Sequence, residues 1–144
     1  MVIGIIGENC SGKTTLANEI ASAIGAEIIS GKDYLRMAKS ECEAVRLFQE
    51  KLGRAVSGDN IIYLISEPEQ INLLPEGAVR ILVSADLDTI KKRFKSRLHG
   101  NLPAPVEQML EKKHGMFDAG AYDLRFDGVA GDASLLCQAL MDRR

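Results

Sequence analysis

Apolar and polar positions follow two rhythms along the chain: short solid runs, and longer stripes at helical spacing. Val2 to Ile6 is a solid, mostly β-branched run, the pattern of a strand buried on both faces. From Lys13 to Ile24, Leu16, Ile20, Ala23 and Ile24 recur as one helical face, and Gly25 is a C-terminal stop. Ala26 to Ser30 reads as a second strand. Asp33 to Leu52 reads as helical with one break, with Leu35, Ala38, Cys42, Val45 and Leu52 inward, and Gly53 to Gly58 as a loop. Ile61 to Ser66 is a third strand, and Glu67 to Gly77 allows only a turn or two of helix. Val79 to Ala85 is a fourth strand. Asp86 caps a helix to Leu98 that points Leu87, Ile90, Phe94 and Leu98 inward. His99 to Pro105 is a loop, Val106 to Phe117 a helix and Asp123 to Asp127 a fifth strand. Asp132 caps a last helix with Leu135, Leu136, Ala139 and Leu140 inside.

Strands alternating with helices predict an α/β domain whose parallel sheet is covered on both faces. The 144 residues suit one such domain, spanning 1–144 without repeat or linker. Net charge is −2 from 18 basic and 20 acidic residues, which argues against a nucleic-acid partner. No apolar run is long enough to span a bilayer and no signal peptide opens the chain, so a soluble cytoplasmic protein without a membrane partner is expected. The three cysteines, Cys10, Cys42 and Cys137, have no metal or disulfide spacing. His99 and His114 read as surface residues. The pattern is compatible with a monomer or a homodimer.

The chemistry concentrates in Gly7-Glu8-Asn9-Cys10-Ser11-Gly12-Lys13-Thr14, which fits G-x-x-x-x-G-K-[ST] between a strand and an amphipathic helix. A loop of this length can wrap a phosphate in inward-pointing N–H groups, and the helix beginning at Lys13 aims its positive end at the anion. Lys13 is expected on the β- and γ-phosphates of ATP, and the Thr14 hydroxyl on Mg2+. Cys10 reads as a small filler. A guanine-specific N-K-x-D, an L-S-G-G-Q signature and an acidic end to an apolar third strand of the RecA type are all absent.

At this point the chain resembles the P-loop nucleotide and small-molecule kinases, the family of cytidylate, adenylate and shikimate kinases. The resemblance is carried by Gly7 to Thr15, by Ile28-Ile29-Ser30-Gly31-Lys32-Asp33-Tyr34-Leu35-Arg36, by Val83-Ser84-Ala85-Asp86 with Arg93 and Arg97, and by Tyr122 to Asp127. It implies a three-layer P-loop NTPase fold with a five-stranded parallel sheet and a Mg-ATP phosphotransferase acting on a nucleotide or other small-molecule acceptor. Residues 31–60 would form the acceptor-binding helical segment and 93–105 a reduced lid. Arg93 and Arg97, four apart on a helix, can converge on the phosphates. Asp33 is either a general base, an outer magnesium ligand or a helix cap; Arg36 either grips the acceptor or is a surface residue. Glu67 either faces magnesium and the acceptor or is a solvated loop residue. The loop Gly128 to Gly131 falls where the family packs adenine. The chain departs from the family where Glu67-Pro68-Glu69-Gln70 supplies no acceptor-gripping arginine, which leaves an ATPase switch or sensor with a degenerate acceptor site as the alternative.

Overall fold

The computed structural model describes residues 1–143. Among them, five strands form one parallel sheet: β1 Val2–Ile6, β2 Glu27–Ser30, β3 Ile61–Ile65, β4 Val79–Ser84 and β5 Leu124–Asp127, in the order β2-β3-β1-β4-β5. β1 is central, with Ile6 beside Ile65 on one flank and beside Leu82 on the other. Its side chains alternate between the two faces of the sheet. Val2 and Ile6 join a cluster with Phe48, Leu52 and Tyr63; Ile3 and Ile5 join one with Leu16, Ile20, Leu136 and Leu140. Both faces are therefore covered, which is why β1 and β3 are uninterrupted apolar runs.

The second cluster is closed by α1 (Lys13–Ile24) and α5 (Ala133–Asp142), the first by α2 (Glu41–Ala55). Tyr34 and Phe48 stack at 5.1 Å between ring centroids, and Phe48 meets Tyr63 edge-on at 4.9 Å. A smaller cluster lies at the sheet's C-terminal edge, where Ile90 of α3 (Leu87–Arg97) and Leu110 of α4 (Ala104–Lys113) pack with Ala85.

Several local expectations are corrected. The one break expected in the helix after β2 is present, between a 3₁₀ turn, Asp33–Met37, and α2, because Ala38 is extended and Ser40 caps the new helix by accepting from the Glu43 N–H at 3.2 Å. That reset changes the buried face to Ala44, Phe48, Leu52 and Ala55, so Leu35 and Cys42 are exposed. Gly53 is helical, since tertiary contacts of Leu52 and Ala55 outweigh its poor propensity. α4 starts at Ala104 with Pro105 in its first turn, where a missing N–H costs nothing, and ends at Lys113 because Gly115 turns left-handed at φ +81. Leu135 points outward at 71% exposure, and Leu98 is exposed. The caps expected at Asp86 and Asp132 are present: Asp86 accepts from the Thr89 N–H at 3.0 Å and Asp132 from the Ser134 N–H at 2.9 Å. Among the described residues no helix is long and apolar enough to cross a membrane.

Candidate nucleotide-binding site

The loop between β1 and α1 leaves the middle of the sheet at the strands' C-terminal edge, the edge at which such folds bind ligands. Gly7 donates to the Ile65 carbonyl at 3.1 Å, and a Cβ on it would stand 2.5 Å from the Val83 carbonyl oxygen. Only glycine fits between β3 and β4 there. Gly12 precedes α1 at φ +110, and α1 carries neither a side-chain cap nor an acid in its first turn. Its first N–H groups are therefore open to an anion.

Lys13 is buried, and its Nζ donates to the Gly7 and Glu8 carbonyls, each at 2.8 Å. Burial pushes its ammonium from 10.5 down to about 8. The loop thus holds a desolvated cation that an arriving anion would stabilise. Ser11 Oγ is buried with no hydrogen-bond partner, a second polar group in the loop that is not satisfied internally.

α3 and the β5–α5 connection close the other side. Arg93 donates through Nη1 to the Cys10 carbonyl at 3.0 Å and through Nη2 to the Gly128 carbonyl at 2.8 Å. Gly128 in turn donates to the Ser84 carbonyl at 2.6 Å, and a Cβ on it would lie 1.7 Å from the Ser11 carbonyl oxygen. The Asp127 carboxylate turns this connection by accepting from the Val129 and Ala130 N–H groups at 2.8 and 3.2 Å. Phosphate loop and β5–α5 loop are so joined backbone to backbone.

Together these elements enclose a cleft of about 960 Å³. Asn9, Cys10, Gly12, Lys13, Thr14 and Thr15 line it, with Arg93 and Arg97 above. Gly7 and Ser11 lie behind the lining. Glu8 turns away from it: its Oε1 meets His114 Nδ1 at 3.0 Å and its Oε2 accepts from the Gly115 N–H at 3.1 Å. His114, expected as an unengaged surface residue, is thus a contact of the phosphate loop.

The residues expected on the acceptor lie apart from the cleft lining. Asp33 is exposed on its 3₁₀ turn and accepts from the Ser30 N–H at 3.4 Å; Lys32, not Asp33, is the cap. Arg36 is exposed one turn on. Glu67 sits 3.7 Å from Lys113 at the end of α4. Ser30, Gly31 and Ser66 line the cleft from the ends of β2 and β3, and Tyr63 braces that edge by donating to the Gly31 carbonyl at 2.7 Å. Sequence reasoning did not single out Lys113, because no linear motif marks it. The structure brings this cation beside Glu67.

The parallel sheet thus carries the phosphate loop after its central strand and helices on both faces. No family profile and no curated protein matches the chain. Solved structures do match in fold. A sugar kinase from Janibacter sp. superposes with TM-score 0.62 at 19% identity, over 98% of this chain and 92% of that one. Shikimate kinase from Acinetobacter baumannii, in complex with shikimate, gives 0.64 at 15%, over 99% and 91%. Deoxyadenosine kinase from M. mycoides, with bound dATP, gives 0.57 at 17%, over 99% and 98%.

Proposed function

We propose that this protein is a small ATP-dependent kinase that transfers the γ-phosphoryl group of Mg-ATP to a small-molecule acceptor. One observation carries the reading. A single cleft presents Lys13, the open end of α1 and Arg97 together, and extends to the ends of β2 and β3, where an acceptor would lie. The buried lysine and the glycine-lined backbone fit a triphosphate. The Thr14 hydroxyl, exposed in the cleft, would hold magnesium, which supplies charge neutralisation on the triphosphate.

Lys13 and the loop N–H groups hold the phosphates in line. Arg97, exposed over the Phe94 ring at 6.0 Å, is free to swing onto the transferring group and stabilise its charge. Arg93, bound to two carbonyls, acts as a brace between the phosphate loop and the loop that would take the base. Residues 31–60 form the acceptor wall on one side. On the other, Lys113 supplies the positive charge that the segment after β3 lacks. Asp33 would take the acceptor proton after leaving Ser30, and Arg36 would hold an anionic group of the acceptor. Residues 93–105 form a reduced lid.

The test is ADP formation from Mg-ATP with and without nucleoside monophosphates, nucleosides, hydroxy acids and sugars. One acceptor should raise turnover by orders of magnitude, and Lys13→Ala should abolish it. Tight nucleotide binding with slow hydrolysis that no acceptor changes would instead favour the second reading, an ATPase switch or sensor. The exposed positions of Asp33 and Arg36, outside the cleft lining, favour that reading.

A further inference from the structure

The phosphate loop is gripped by both helices of the α3–α4 hairpin, and the two grips differ in kind. α3 holds the loop's backbone, through Arg93 on the Cys10 carbonyl at 3.0 Å. Cys10 itself sits at φ +63 and packs against the apolar cluster of Ala85, Ile90 and Leu110. α4 holds a side chain. The Glu8 carboxylate takes His114 on one oxygen and the Gly115 N–H on the other, at 3.0 and 3.1 Å. An ionised carboxylate only accepts, so His114 carries its proton on Nδ1 in this contact. The Glu8 side chain is 13% exposed and its bond from the Gly115 N–H is half-buried, while the His114 side of the other bond is open to solvent at 35%.

Just beyond α4, Met116 and Phe117 pack into the core, and a further polar attachment of this end to the site is the Lys113 to Glu67 pair. It stands at 3.7 Å with both side chains more than 40% exposed, and water screens it. At the far end of the hairpin, residues 98–103 join the two helices through His99 at φ +61 and Gly100 at φ +88, both exposed. Leu102 of this tip packs against the apolar cluster of Ala85, Ile90 and Leu110, and the rest of the tip is exposed and held by its helices.

We propose that Glu8 is a positioning residue that ties the end of α4 to the phosphate loop, so that filling the loop with nucleotide reorders the hairpin and its 98–103 tip. A lever needs two attachments to be driven. Arg93 and Cys10 provide the one on α3, and Glu8 provides the one on α4. The inference rests on the nucleotide-binding reading above.

The test is amide hydrogen exchange of the 98–103 peptide in the full chain, with and without saturating magnesium and the β,γ-imido analogue of ATP. Calorimetry on each variant establishes binding. In wild type the analogue should slow exchange at the tip by about tenfold or more. In Glu8→Ala and in His114→Ala most of that slowing should vanish at saturation. His114→Asn, which keeps a donor near the Nδ1 position, should retain it, and the double alanine variant should be no worse than Glu8→Ala alone. Unchanged tip protection in saturated Glu8→Ala, or wild type that binds nucleotide without a response at the tip, overturns the inference and leaves the kinase reading standing. Wild type that does not bind nucleotide overturns both. Should Glu8→Ala fold poorly, His114→Ala, at a half-exposed position, decides the matter by itself.

Discussion

Lys13 is a cation kept out of water, and its behaviour follows from that. Burial lowers its pKa to about 8, so in the free protein its charge is lost as pH rises through that value. A bound triphosphate stabilises the ammonium and raises the pKa again. Nucleotide binding should therefore take up a proton above that pH. By titration calorimetry, Kd should be flat below the folded pKa and rise towards about tenfold per pH unit above it. The stability linkage has its own sign. Between about 8 and 10.5 the unfolded chain binds more protons than the folded one at this position, so its contribution to stability grows with pH across that window. Gly128 makes a second prediction at this scale. With a Cβ only 1.7 Å from the Ser11 carbonyl oxygen, Gly128→Ala must push the two loops apart. It should cost roughly 2–4 kcal/mol of stability and weaken nucleotide binding by at least about tenfold, read from urea midpoints and calorimetry.

α2 shows what an element adds. Its core face of Ala44, Phe48, Leu52 and Ala55 carries Phe48 into the aromatic contacts with Tyr34 and Tyr63. Phe48→Ala should destabilise by about 3–5 kcal/mol in urea unfolding. Gly53 lies on the exposed face of the same helix with open space where a Cβ would go. Gly53→Ala should therefore stabilise by about 0.5–1 kcal/mol with nucleotide affinity unchanged. The contrast between Gly53 and Gly128 lies in surroundings, because the residue type is the same.

At the scale of the molecule, the cleft is assembled from the phosphate loop, α3 and the β5–α5 loop, with the ends of β2 and β3 at its other side. A ligand that joins these parts binds the folded state alone. At a hundred times Kd, magnesium nucleotide should add about 2.7 kcal/mol, which for a domain of this size raises Tm by roughly 10 °C. Scanning calorimetry against ligand concentration checks this, with Lys13→Ala as the variant that loses the shift.

The local pattern determined the alternation of strands and helices, the phosphate loop and the caps at Asp86 and Asp132, because each rests on neighbours within a turn or a strand. The same pattern gave the five strands, and the resemblance implied that they form one sheet. What lay beyond the pattern are contacts between residues far apart in the chain. His114 is the surface residue that the pattern indicates, but the end of α4 at Lys113 also sets it on Glu8, 106 positions away. Arg93 reads as a phosphate clamp until its guanidinium meets the carbonyls of Cys10 and Gly128. Lys113 carries no motif, and Gly128 is an ordinary loop glycine until Ser11 closes over it. Hydrophobic periodicity records which face of an element avoids water, and so it finds the elements. It does not record which polar group each element's end will meet, and that is decided when the sheet brings the loops to one edge.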